Sequence, residues 1–174
     1  GAAKATGHPV HTVNWFDVVK WCNARSESEG RRPVYYVGGQ VYRTGKQLPA
    51  ADWTANGYRL PTEAEWEKAA RGGLAGKRFP WGDTITHLQA NYFSATNYWY
   101  DTSLTRGNHP VYGGNTSPVA AFQPNGYGLF DVAGNLWEWC WDWYGQSWYS
   151  DSAARQKDTR GPASGEYRVL RGGA

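Results

Sequence analysis

Apolar residues recur at helical spacing in only two stretches of this 174-residue chain. In the first, Trp15, Val18, Val19 and Cys22 stand at i, i+3, i+4 and i+7, the stripe of an amphipathic helix. Asn14 occupies the N-cap position, Asp17 places an acid at the positive end of the helix, and Gly30 lies just past its end. This pattern predicts a helix over 15–27. In the second stretch, Thr62 is followed three residues later by Glu65, the signature of a capping box. Pro61 precedes it, Gly72-Gly73 ends it, and Trp66, Ala69 and Ala70 give it an apolar side. Glu63, Glu65 and Glu67 read more simply as charges at the start of this helix than as an acid/base cluster.

Elsewhere the pattern is short and strand-like. Val34–Val37 and Gln40–Arg43 are β-prone runs joined by Gly38-Gly39, the two-residue hairpin signal, because the favoured turns need positive φ. An Asn56-Gly57 turn follows Trp53. From Gly73 to about Gln123 little periodicity is visible. Phe79–Asp83 reads as a turn, and Ala90–Tyr100 mixes Asn, Ser and aromatic residues. A loop of that length inside a compact domain is usually functional, or tied down by a metal or by close packing. Trp137, Trp139, Trp141 and Trp143 then alternate. On a strand they would form one wall, with Glu138, Cys140 and Asp142 facing the other way. Neither an internal repeat nor a linker interrupts the chain, so residues 1–174 are read as one domain.

Composition sharpens this picture. Eleven Trp, 12 Tyr and 22 Gly point to short strands and turns around an irregular, ring-filled core. The formal charge is +3 and the pI about 8.9, but the basic residues are scattered, which argues against a nucleic-acid surface. No apolar run approaches the roughly 20 residues that span a bilayer, and no signal peptide is visible, so the compartment stays unknown. The chain lacks Met, as expected of a processed product or a fragment. Cys22 and Cys140 make at most one disulfide, and neither has a neighbouring His to activate it. His8 and His11 have a spacing that metal ligands use, but no carboxylate cluster supports them, and they read as surface histidines.

The block from Gly126 to Tyr144 carries the candidate chemistry. Asp131 and Glu138 flank a turn at Gly134-Asn135. Two carboxylates around a tight turn with free carbonyls can cage a hard cation such as calcium. Equally, both carboxylates could simply accept bonds from nearby backbone N–H groups, and the spacing does not choose between the two.

Several strings, in order and over nearly the whole chain, resemble the formylglycine-generating enzyme (sulfatase-modifying factor) family. They are Tyr58–Gly73, Phe79–Gly82, Ala90-Asn91, Pro118-Val119, Pro124–Leu129, Gly134–Trp139 and Arg168–Gly173. The resemblance implies an α+β, C-type-lectin-like fold with two short helices, short antiparallel strands and many loops. It also implies structural calcium, held at the Asp131, Gly134, Leu136 and Glu138 positions by two side chains and backbone carbonyls. A second cation site would begin at Asn91 and Tyr92, with Asp101 as a possible member.

The family's reaction, oxidation of a sulfatase cysteine to formylglycine, uses a copper-binding cysteine pair just after the Arg-Gly-Gly string. Copper is therefore expected only if such a pair follows Ala174; Cys22 and Cys140 match neither position, so no catalytic residue is assigned. The chain looks truncated at both ends relative to the family domain. The competing reading is a non-catalytic module that displays a ligand-binding surface, as in variable proteins diversified by retroelements. Its partner would be a protein or peptide, a sulfatase peptide in the first reading and a displayed-surface ligand in the second. An ergothioneine-type sulfoxide synthase also resembles the family, but needs an iron-binding His set that the sequence does not supply.

Overall fold

The computed structural model describes residues 1–173. Two compact units emerge, one of residues 12–61 and one of residues 1–11 together with the chain from Thr62 onward.

In the 12–61 unit, helix α1 spans Trp15–Ser28, with the Asn14 side chain accepting from the Asp17 amide at 3.0 Å. Its buried face is Trp15, Val19, Cys22, Asn23 and Ser26, with Val18 only half-buried. The expected stripe was thus shifted, because two polar residues join it and serve the backbone. Ser26 Oγ donates to the Cys22 carbonyl (2.7 Å) and accepts from the Tyr58 amide (2.8 Å). Asn23 donates through Nδ2 to the carbonyls of Tyr35 (2.7 Å) and Tyr42 (3.1 Å). Its Oδ1 accepts from the amides of Val34 (3.1 Å) and Tyr35 (3.0 Å).

That asparagine fastens α1 to a hairpin of β1 (Tyr35–Val37) and β2 (Gln40–Val41), shorter than the sequence suggested. Gly38 and Gly39 turn it at φ +56° and +78°, the left-handed pair of the favoured tight turn. A third strand, β3 (Ala50–Ala51), pairs with the other edge of β1, giving the antiparallel order β2-β1-β3. Two alanines carry no strand signal, so this element is invisible in the sequence.

The other unit is built on helix α2, Glu63–Arg71. Both bonds of the capping box form: the Glu65 amide donates to Thr62 Oγ1 (3.2 Å) and the Thr62 amide to Glu65 Oε2 (2.9 Å). Gly72 closes the helix at φ +56°. A distant side chain completes that end, as Asn125 Nδ2 donates to the carbonyls of Ala69 (2.8 Å) and Ala70 (3.1 Å). Thr62→Ala is expected to cost about 1 kcal/mol in chemical denaturation. A neutral result would mean the cap does not hold the helix start.

Against α2 lie β4 (Glu138–Trp143) and β5 (Arg168–Arg171), antiparallel, with Glu138 opposite Arg171, Trp139 opposite Leu170 and Trp143 opposite Arg168. A bulge lies between Trp139 and Trp143. The expected four-ring wall needs correction here. Trp137 precedes the strand and is 59% exposed, and the three strand tryptophans are only half-buried. The opposite face is the core one, with Cys140 at 0% and Asp142 at 1% exposure. Asp142 Oδ2 accepts from the Glu63 amide at 2.8 Å, so a carboxylate is buried there because it completes the N-terminus of α2. Its burial pushes the carboxyl up to about 6, against that same bond. On the ring side, the Arg168 guanidinium lies 3.6 Å from the Trp143 ring centre. Single 3₁₀ turns at Trp148–Ser150 and Ser152–Arg155 lead to β5. Among the described residues, no helix is long and apolar enough to cross a membrane.

Candidate functional site

The turn between Asp131 and Glu138 is unusually left-handed. Asp131 (φ +55°), Gly134 (+80°) and Asn135 (+67°) all adopt positive φ, as does Ala120 (+60°), whose amide donates to Asp131 Oδ2 at 2.8 Å. Non-glycine residues rarely hold this conformation unless their surroundings fix it. The fixing contacts are visible. The Asn135 amide donates to the Asn91 carbonyl (2.7 Å), the Gly134 amide to the Gly172 carbonyl (3.1 Å), and Asn135 Oδ1 accepts from the Ser117 amide (2.9 Å).

Asp131, Leu136 and Glu138 line one cavity of about 370 Å³, together with Pro9, Val119, Ala120, Phe130 and Asn135. Gly134 does not line it, and its carbonyl accepts from the Leu136 amide at 2.9 Å. Asp131 Oδ1 is buried with no hydrogen-bond partner. Glu138 Oε2 accepts from the Trp66 indole N–H at 2.6 Å. Burial raises the Glu138 carboxyl above its ordinary range; the Trp66 bond opposes that, and the Asp131 charge adds to it. The cavity therefore holds two interacting carboxylates. One oxygen of Asp131 serves a backbone amide and the other has no hydrogen-bond partner. Among the described residues, no three His, Cys, Asp or Glu side chains gather as a metal-binding group.

The second expected site has a different character. Asn91 lies directly behind the first, bonded through its carbonyl to Asn135 and through Nδ2 to the Asn115 carbonyl at 2.8 Å. Tyr92 donates its hydroxyl to Asp101 Oδ1 at 2.7 Å. The Asp101 carboxylate also accepts from Ser103 N (3.1 Å), Ser94 Oγ (2.7 Å) and Ala95 N (3.0 Å), and Arg106 lies at 3.1 Å. Burial alone would raise this carboxyl, but the bonds from Ser94, Tyr92, Ser103 and Ala95 prevail and bring it down to about 2. Here is what ties down the long aperiodic loop: a buried aspartate at the hub of its backbone.

The acids of α2 have structural partners. Glu67 pairs with Arg71 and Arg171, Glu63 lies 3.6 Å from Arg171, and Glu65 closes the capping box. Arg171, which sequence reading did not single out, also covers the Trp66 ring at 5.0 Å. Its pairing to residues 104 positions away leaves no local signal. Beside it opens a groove of about 440 Å³, lined by the rings of Phe79, Tyr98, Tyr100 and Trp137 together with Ala70, Leu170 and Gly172.

Cys22 and Cys140 are buried thiols in different units and form no disulfide. Burial pushes the first up to about 11 and the second up to about 12, the latter helped by the charges of Asp142 and Glu63. A Cu(I) site needs adjacent thiolates, and these two residues do not fit it. His8 Nδ1 sits 2.9 Å from Thr116 Oγ1, a packing role.

Comparison with known proteins agrees with the motif strings. A formylglycine-generating enzyme of Thermomonospora curvata is 48% identical over 128 residues, covering 71% of this chain and 40% of that protein. One from Streptomyces coelicolor is 41% identical over 160 residues, covering 87% of this chain and 45% of that protein. This chain thus spans less than half the length of either relative. Among solved structures, Treponema denticola variable protein 1 matches at TM-score 0.71 and 33% identity, over 99% of this chain and 63% of its own. The fold is α+β of the formylglycine-generating-enzyme and C-type-lectin-like kind. The family model described as sulfatase-modifying factor enzyme 1-like domain matches residues 1–174, and the chain belongs to that family.

Proposed function

We propose that this chain is the cation-braced body of a formylglycine-generating-enzyme-like domain, and that its parent protein oxidises a sulfatase cysteine to formylglycine. The observation that supports the reading most is the extent of identity to enzymes of that name, up to 48% over 128 residues. No step of the oxidation is assigned to the residues described here, because the two thiols do not suit copper.

The brace would be calcium, held by Asp131 and Glu138 with the Leu136 and Gly134 carbonyls. A hard cation takes oxygen ligands and tolerates irregular geometry, and a buried orphaned carboxylate oxygen next to a second carboxylate suits that chemistry. Calcium would supply the positive charge that the pair lacks. Gly134 would need its carbonyl turned toward the cavity, so it is the least favoured of the four. Among the described residues, no buried side-chain atom of Asn91, Tyr92 or Asp101 lacks a partner, so the proposal is confined to one site. Added calcium is expected to raise the melting temperature and EDTA to lower it, read by differential scanning calorimetry. No shift with either would remove calcium from the account.

The second reading is ligand display. The match of 99% of this chain to 63% of a variable protein and the aromatic groove beside Arg171 favour a protein or peptide ligand bound there. In the enzyme reading, the full-length parent converts a cysteine in a sulfatase-derived peptide to an aldehyde, detected by hydrazide labelling. If instead the parent binds a peptide without converting it, display is the better description.

A further inference from the structure

We infer that Trp66 is the positioning residue for the cation ligand Glu138, and that α2 and β5 are arranged to hold its indole in place for that purpose. The inference rests on the calcium reading above. A metal-binding carboxylate works best when its free oxygen is aimed before the metal arrives, and the usual device is a hydrogen bond to its other oxygen. Trp66 Nε1 donates to Glu138 Oε2 at 2.6 Å, while Glu138 lines the cavity that also contains the orphaned Asp131 Oδ1. An indole N–H suits this task. It carries no charge to compete with the cation, and it cannot act as an acceptor in its place.

The indole is itself held rigidly. It projects from α2, whose start is fixed by the capping box and whose end is fixed by Asn125. Arg171 of β5 lies over its ring at 5.0 Å and is anchored to Glu63 and Glu67 on the same helix. Glu138 stands opposite Arg171 in the β4–β5 ladder. The residue that carries the ligand and the residue that clamps its orienting group are therefore cross-strand partners. A sequence with tryptophan at this helical position reads as ordinary core packing, yet Trp66 is only half-buried, and its one polar atom is committed to Glu138.

The test is calcium titration by calorimetry of the wild-type chain and of Trp66→Phe, which keeps a ring under Arg171 but removes the N–H. The variant is expected to bind with roughly 10- to 100-fold weaker affinity. If Trp66 served only packing, the variant would melt lower by the same amount with and without calcium and its dissociation constant would not move. Equal affinity in the two proteins overturns the inference while leaving the calcium site standing; absence of binding by the wild type overturns the site as well. Should Trp66→Phe not fold, the wild type still decides. Hydrogen exchange of the Trp66 indole N–H, followed by ¹⁵N NMR with Glu138→Gln as the assignment reference, is expected to slow on calcium addition. Unchanged exchange in a protein that binds calcium overturns the proposal.

Discussion

Gly134→Ala is expected to destabilise the protein by about 3 kcal/mol or more, with a marked fall in the urea midpoint. Two effects add. Gly134 sits at φ +80°, where a β-carbon is strained, and the added methyl would overlap the Asn91 carbonyl oxygen. That oxygen cannot retreat cheaply, since it accepts the Asn135 amide at 2.7 Å, while the Gly134 amide is committed to Gly172 at 3.1 Å. Moving either segment of this junction disturbs the turn that brings Asp131 and Glu138 to one cavity. A loss below about 0.5 kcal/mol, the range of an ordinary exposed substitution, would show that the junction yields and that the turn is not fixed as described.

The second large effect is expected from Asn23→Ala, on the order of 4 kcal/mol. Asn23 is fully buried and makes four hydrogen bonds to the backbone of 34–42. Truncation removes all four bonds; the Tyr35 carbonyl keeps the Tyr42 amide at 2.9 Å, but each buried group that is left unpaired costs roughly 1–3 kcal/mol unless water reaches it. Asn23→Asp discriminates the mechanism. It retains an oxygen for the Val34 and Tyr35 amides but turns a carboxylate toward the Tyr35 and Tyr42 carbonyls, so it is expected to be about as damaging as alanine. If aspartate were tolerated, the two donated bonds would be minor. Chemical denaturation, with amide exchange at Val34 and Tyr35, reads both variants.

These two residues mark where the sequence is legible and where it is not. Caps and turns were readable because their partners lie within four residues. Asn14 and Asp17, Thr62 and Glu65, and Gly38-Gly39 all behave as local chemistry requires. Asn23 was not readable, because a polar residue on an apolar stripe looks like a break in the pattern until its partners 11 to 19 residues away are known. The same holds for Asn125 on the end of α2 and for Arg171 on its acids. The tryptophan alternation holds over Trp139, Trp141 and Trp143 but leaves the core side open. Period two identifies a face but not which face is buried, and Asp142 is inside because it caps a helix 79 residues away. At the candidate site, Asp131, Leu136 and Glu138 share one cavity, and Gly134 does not line it. Trp66 was legible only as a core residue, since nothing in its helical neighbourhood names Glu138 as its partner. Asn91 meets the same turn through its carbonyl, which accepts the Asn135 amide.

Under the proposed reading, a cation offsets the repulsion between the Asp131 and Glu138 carboxylates that share one cavity. Equilibrium calcium titration of the chain, compared with Asp131→Asn and Glu138→Gln, tests it most directly. The account predicts saturable binding by the wild type, with each substitution weakening it by 10-fold or more (roughly 1.4 kcal/mol). Undiminished binding by both variants, or none by the wild type, would contradict it.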